Sequence, residues 1–157
     1  MNRRDILVPL NLEKHSFEGL EFAARMAAEI PVRVALLYVV ELNIFPIERR
    51  VYDEVCLGYY ERLRAMAQCC FESPPHLRVR LGKAYREIVA EAKETDAELI
   101  VLGIPESTRR RWRFGHSTVE RVIRDAPCLT VALSNSRKIM PDDYRQPAPP
   151  FSYALGG

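Results

Sequence analysis

Short apolar runs alternate along the chain with longer segments in which apolar residues recur every three or four positions. The runs rich in leucine and β-branched residues, at 4–11, 32–40, 77–81, 99–102 and 129–133, predict buried strands. The intervening segments have the spacing of amphipathic helices. Strands that alternate with helices in this way predict a parallel sheet with helices on both faces.

Each predicted helix carries one apolar stripe. The inward positions are Phe17, Leu20, Ala24 and Ala27 in the first helix, Val55, Tyr59, Leu63, Met66 and Cys70 in the second, Tyr85, Ile88, Val89 and Ala92 in the third, and Val119, Val122 and Ile123 in the fourth. Ser16 is placed to cap the first helix, because a serine oxygen accepts an N–H of the first turn. Pro74 and Pro75 end the second helix.

The connection before the last predicted helix is unusually long for a βαβ unit. A buried strand ends at Gly103, and the next helix begins near Ser117. In open α/β sheets, ligands bind beyond the carboxyl ends of the strands, where helix N-termini present unpaired N–H groups to anions. This connection is therefore the first candidate for a functional site.

The residues of this connection resemble a known motif. Gly103, Glu106, His116 and Ser117 keep the spacing of the Gly-x2-Gly-x9-Gly-Ser/Thr motif found in nucleotide-binding members of the universal stress protein family, with two glycines replaced. The segment from Arg4 to Asn11 also resembles the first strand of that family, with Val8-Pro9 near its end and Asn11 where the family has an Asp that contacts the nucleotide. The resemblance extends over about residues 3 to 134.

The resemblance implies an open five-stranded parallel sheet of order 3-2-1-4-5, an adenine-nucleotide alpha-hydrolase-like fold. It implies a crevice where the strand order reverses, and ATP or AMP, with Mg²⁺, as the ligand. It also implies a homodimer that pairs through the last strand, from Pro127 to Leu133. The candidate binding residues are Pro9, Leu10, Asn11, Val39, Val40, Gly103, Glu106, Arg110, Gly115, His116, Ser117 and Thr118.

The departures from the motif change the expected chemistry. A carboxylate at Glu106 lies close to the expected phosphates, and two negative groups about 4 Å apart repel by roughly 1 kcal/mol in water. His116 removes the close backbone approach that glycine allows, but its imidazole donates hydrogen bonds to anions. Asn11 loses the charge of Asp and keeps a carbonyl acceptor. Ser117 and Thr118 fit either helix capping or ligand contact.

The positive charge is concentrated around the same connection. The net charge is +2, and arginines occur at 109, 110, 111, 113, 121 and 124, the first four of them clustered around Trp112. Three interpretations remain open for this cluster: a solvated loop, contact with nucleotide phosphates, or contact with nucleic acid or another acidic partner. A single short basic cluster is a weak nucleic-acid signal, so nucleic-acid binding is not expected.

No pattern typical of an enzyme occurs in the sequence. It contains neither GxxxxGK[ST] nor HExxH, and the three histidines fall in different predicted loops. We therefore expect no catalytic residues and no metal site, and interpret the protein as a small binding or regulatory protein. The alternative is a nucleotide-free signalling or protein-interaction module with a closed site. A slow nucleotide hydrolase is a third, weaker hypothesis.

Length and composition set the remaining expectations. The 157 residues fit one domain over 1–134, followed by a Pro-rich tail over 135–157. No stretch reaches the roughly 20 apolar residues of a membrane span, and no signal peptide is recognisable, so a cytoplasmic protein without membrane contact is expected. The four cysteines lack metal-ligand spacing, which favours reduced thiols that act as small apolar residues.

Overall fold

Parallel strands alternate along the chain with helices that run antiparallel to them. The computed structural model describes residues 4–11, 17–41, 48–104 and 118–133. The elements, in chain order, are β1 (Arg4–Leu10), α1 (Glu18–Glu29), β2 (Val32–Val40), α2 (Arg49–Cys70), β3 (His76–Leu81), α3 (Ala84–Glu94), β4 (Leu99–Gly103), α4 (Thr118–Asp125) and β5 (Leu129–Leu133). The predicted Pro-rich tail lies outside the described residues.

The strands form one parallel sheet of order β3-β2-β1-β4-β5, which confirms the predicted topology. β1 is the central strand and lies between β2 and β4. Leu10 of β1 pairs with Tyr38 of β2, and Leu7 of β1 pairs with Ile100 of β4. Because the connections after β1 and β4 leave toward opposite sides of the strand order, the carboxyl ends of these two strands form the switch point of the sheet.

Alternation along the strands divides the interior into two cores. Side chains such as Val8, Leu36 and Val101 pack against α1 and α2 on one face, whereas Leu7 and Ile100 pack against α3 and α4 on the other. The central strands are apolar on both faces, as expected for a sheet that helices cover on both sides. Among the described residues, no helix combines the length and the apolar character needed to cross a membrane.

Two details of the predicted helices are wrong, and a third falls on a residue outside the described part of the chain. The N-cap position of α1 is Phe17, without a side-chain cap, and the predicted capping residue Ser16 lies outside the described residues. Ala27 is exposed together with all of residues 27–30, so burial stops one turn before α1 ends. Ile123 is 46% exposed, because α4 lies toward β5, the last strand on that side of the sheet, and Val119 and Val122 already fill its buried stripe.

An ion cluster joins the edge strand β3 to α3, and the apolar pattern did not predict it. Glu91 is only 2% exposed. Its carboxylate accepts hydrogen bonds from Arg78 Nε at 2.9 Å and from Arg80 Nη1 at 2.7 Å. Arg80 also donates to Glu87 at 2.7 Å and to Glu94 at 2.8 Å. The α3-facing side of β3 is therefore held by charge pairing rather than by apolar contact.

Candidate functional site

The switch point brings together the ends of β1 and β4. β1 leads to α1 on one face of the sheet, and β4 leads to α4 on the other face. The strand order sets Leu10 and Gly103 side by side at the carboxyl edge of the sheet, the edge at which ligands bind in open α/β sheets. The residues that follow Asn11 and Ile104 lie outside the described residues, so the predicted ligand crevice remains a prediction.

Gly19, in the first turn of α1, brings that helix into direct contact with the backbone of β4. A Cβ atom built on Gly19 would lie 3.1 Å from the carbonyl oxygen of Val101 and 3.5 Å from the amide nitrogen of Gly103. A Cβ atom at 3.1 Å from a backbone oxygen is a tight contact, so a larger residue at this position would push α1 away from β4. Gly19 therefore sets the close packing of α1 on the end of β4, a role that its helical position in the sequence did not indicate.

The predicted residues on β1 and β2 differ in what they can offer a ligand. Leu10 and Val40 are core side chains on the α1 and α2 face, and Val39 packs on the α3 and α4 face. Because Val39 and Val40 point to opposite faces of the sheet, their side chains cannot both line one pocket. Pro9 is half-buried, and Asn11, directly after β1, is exposed.

The predicted residues on the β4 side are only partly described. Gly103 is half-buried and pairs with Leu133 of β5. Thr118 is the first residue of α4 and is exposed. The other predicted residues of this connection, Glu106, Arg110, Gly115, His116 and Ser117, lie outside the described residues.

The N-terminus of α3, at the same edge of the sheet, already has an anionic partner. Glu41 follows β2, and its carboxylate accepts the backbone N–H of Ala84 at 2.6 Å. A carboxylate at a helix N-terminus satisfies an unpaired donor and interacts favourably with the helix dipole. An anionic ligand at this edge is therefore expected at α1 or α4 rather than at α3.

Tyr85 in α3 connects this helix to α4. Its ring lies 4.8 Å from the Arg121 guanidinium carbon and 5.6 Å from that of Arg86. Arg86 Nε also donates to the Tyr85 hydroxyl at 2.8 Å. This hydrogen bond, together with the positive charges of Arg86 and Arg121, lowers the pKa of the Tyr85 hydroxyl.

A cleft of about 340 Å³ lies at the opposite, amino end of the strands. Its charged lining residues are largely paired with each other, Arg33 with Asp5 and Arg78 with Glu91. Because these charges balance, the cleft offers no excess charge to an ionic ligand.

The cysteines and acidic residues of the described parts do not form a metal centre. None of the four cysteines forms a disulfide. Burial raises the pKa of the Cys70 thiol to about 11, and burial also raises the pKa of Cys56 and Cys128. Within the described residues, no group of three or more His, Cys, Asp or Glu side chains converges on one point.

Comparison with protein-family models gives one match. The model of the universal stress protein family aligns with residues 2–133. A comparison with curated proteins finds no match.

Solved structures show the same fold. The universal stress protein UspA from Lactobacillus plantarum superposes with a TM-score of 0.68 at 21% identity, over 85% of this chain and 99% of that chain. A universal stress protein in complex with cAMP gives a TM-score of 0.66 at 16% identity, over 87% of this chain and 100% of that chain. The universal stress protein from Archaeoglobus fulgidus in complex with dAMP gives 0.55 at 25% identity, over 84% and 98% of the two chains.

Proposed function

Since the chain belongs to the universal stress protein family, we propose that it is a regulatory protein that binds an adenine nucleotide, ATP or AMP, at the carboxyl ends of β1 and β4. The observation that carries this proposal is the strand order, which places the carboxyl ends of β1 and β4 side by side at the switch point of the sheet, where ligands bind in open α/β folds. Two structural neighbours, crystallised with cAMP and with dAMP, support adenine nucleotides as the ligand class.

The base and the ribose would lie on the β1 side of the crevice. The backbone of Pro9 and Leu10 borders this position, and the exposed Asn11 carries an amide oxygen that accepts a hydrogen bond from an adenine amino or ribose hydroxyl group. Val39, rather than the buried Val40, would contribute the apolar side chain. This assignment uses side chains that the fold leaves accessible.

The phosphate would lie on the β4 side. Gly103 permits close approach of a phosphate to the end of β4, and Thr118 begins α4, whose N-terminal N–H groups favour an anion. Gly115, His116 and Ser117 would complete this contact, and Arg110 would supply a positive charge. Glu106 repels additional phosphates, so we expect AMP to bind more tightly than ATP.

Thermal unfolding in the presence of nucleotide tests the proposal. A ligand at 100 times its Kd stabilises the folded state by about 2.7 kcal/mol, which for a domain of this size raises Tm by several degrees. We expect this rise with millimolar AMP and a smaller rise with ATP and Mg²⁺. Unchanged Tm with every nucleotide would support the nucleotide-free interaction module instead.

The Glu106→Gly variant tests the assignment of the phosphate position. Removal of the carboxylate should tighten ATP binding more than AMP binding, because ATP brings more negative charge toward this position. Glu72→Gly removes a carboxylate from the exposed segment after α2 and serves as the control. Equal effects of the two variants on ATP affinity would contradict the placement of Glu106 beside the phosphates.

We also propose that the protein forms a homodimer through β5, which is the edge strand on its side of the described sheet. Leu129 on this strand is 68% exposed, and Ile123 on α4 is 46% exposed. An exposed strand edge with apolar side chains favours pairing with another strand. The edge and these two residues together supply a self-complementary surface.

Sedimentation velocity tests the dimer. The wild-type chain should sediment as a dimer at micromolar concentration, and Leu129→Asp should sediment as a monomer because a carboxylate in the interface lacks a partner. Leu57→Asp, at an exposed leucine of α2, is the matched control and should remain dimeric. A monomeric wild-type protein, or a dimer that survives Leu129→Asp, would refute pairing through β5.

A further inference from the structure

The charges of α3 are separated onto two sides of the helix. Its acidic residues Glu87, Glu91 and Glu94 face β3, where they bond to Arg78 and Arg80. These carboxylates are therefore paired with arginines of β3, Glu91 in the interior and Glu94 at the surface. They are not the counter-charges of the basic residues on the rest of the helix.

The basic residues of α3 lie on the other side of this helix, beside α4. Arg86 and Lys93 of α3 are exposed, and on α4 Arg121 reaches the ring of Tyr85 at 4.8 Å. Arg124 is exposed nearby and bonds to its neighbour Asp125 at 2.9 Å. We call these four cations, Arg86, Lys93, Arg121 and Arg124, the basic seam.

The basic seam has an excess of positive charge. Two acidic residues of α4, Asp125, which bonds to Arg124, and Glu120, count against its four cations and leave an excess of two positive charges. The hydrogen bond between Arg86 and the Tyr85 hydroxyl orients that guanidinium without neutralising it. Several positive charges therefore face solvent on one surface, although the whole chain has a net charge of only +2.

We infer that the basic seam between α3 and α4 is a docking surface for a short acidic segment of a partner protein. Arg86 and Lys93 are seven positions apart on α3, which corresponds to about 10 Å along a helix axis. This length matches three to four residues of extended chain. Complementary charge then speeds association and selects the partner.

The structure favours an acidic protein segment over nucleic acid. Base recognition by stacking requires an aromatic face that is open to the ligand. Tyr85 is the aromatic residue of this seam, and its ring packs against the core and lies under Arg121. Binding of carboxylates by guanidinium groups needs no such face.

Fluorescence anisotropy with a labelled decaglutamate peptide tests this inference on the full chain. We expect binding at 50 mM NaCl that weakens at 300 mM, because salt screens exposed charges. Arg86→Gln/Arg121→Gln should weaken binding at least tenfold. The control Arg50→Gln/Arg64→Gln removes two exposed arginines from α2 and should change the affinity less than twofold.

A charge-conserving variant distinguishes a loss of peptide binding from a loss of folding. Arg86→Lys/Arg121→Lys keeps both positive charges and should retain affinity within threefold, with circular dichroism as the check of the fold in every variant. Equal losses in the lysine and glutamine variants would overturn the electrostatic account of the seam.

Four other outcomes would also overturn the inference. The first is absence of peptide binding at 50 mM NaCl. The second is binding that the glutamine seam variant leaves intact, which would place the peptide elsewhere, such as on the arginines at 109–113. The third is an equal loss in the α2 control. The fourth is a ten-nucleotide oligothymidylate that binds as tightly as the peptide and depends on the same arginines, since this would make the seam a nucleic-acid surface.

Discussion

Replacement of Glu91 by alanine is expected to lower the free energy of unfolding by about 1.5–3 kcal/mol, the range for the loss of hydrogen bonds to a charged group, because the arginines left behind are exposed or keep other partners. Glu91 is 2% exposed, and it accepts hydrogen bonds from both Arg78 and Arg80. Without this carboxylate, Arg78 loses its partner in α3, and Arg80 keeps Glu87 and Glu94. The stability is therefore lost at the contact between the edge strand β3 and α3.

Urea unfolding of the Glu91→Ala variant measures this loss. Glu61→Ala is the control, because Glu61 pairs with Arg64 on the surface of α2 with both side chains more than half exposed. An exposed pair of this kind contributes at most about 1 kcal/mol. Similar losses in the two variants would contradict a structural role for the ion cluster between β3 and α3.

Replacement of Gly19 by valine is expected to lower the free energy of unfolding by about 2–3 kcal/mol, at the upper end of the range for overpacking. The new Cβ would lie 3.1 Å from the carbonyl oxygen of Val101, and the backbone of a central strand cannot move away from it easily. The helix must therefore shift outward. Because α1 forms one wall of the crevice, the same variant should also weaken nucleotide binding.

Ala28→Val is the matched control for Gly19→Val. Ala28 lies on the exposed last turn of the same helix, so valine there costs only its lower helix propensity, less than about 1 kcal/mol. Both variants can be measured by urea unfolding, and the nucleotide affinity of each by calorimetric titration. A Gly19→Val protein as stable as Ala28→Val would show that α1 does not rest on β4 as described.

Much of the fold was predictable because local patterns and global architecture agree. The bounds of β2 and β5 follow directly from their apolar runs, since these strands lie between turn or helix residues that cannot continue them. The strand order came from the family resemblance and not from periodicity, because apolar alternation does not specify which strands are neighbours. The structure confirms that order.

The errors have a common physical origin in long-range contacts. Ile123 fits the apolar stripe of α4, but it is exposed because β5 is an edge strand. Glu91 interrupts the apolar pattern of α3 and is buried nevertheless, because two arginines of a strand distant in the sequence reach it. The spacing of residues within one helix predicts neither the exposure of Ile123 nor the burial of Glu91.

The position of the candidate site follows from the strand order, but its details do not. The switch point follows from the strand order, which places Leu10 and Gly103 at the same edge of the sheet. The sequence did not indicate the role of Gly19, because this role depends on the strand backbone that packs against the first turn of the helix. The opposite orientations of Val39 and Val40 follow from strand alternation and could have been predicted.

Chemical-shift mapping of the ¹⁵N-labelled full chain during titration with AMP tests the central claim most directly. The claim is that an adenine nucleotide binds at the carboxyl ends of β1 and β4. We predict that the amide signals of Leu10, Asn11, Gly103 and Thr118 shift in a saturable manner, while those of Arg33 and Thr95, at the cleft on the opposite end of the sheet, remain unchanged. Shifts confined to Arg33, Thr95 and their neighbours in that cleft, or no saturable shift at millimolar AMP, would contradict it.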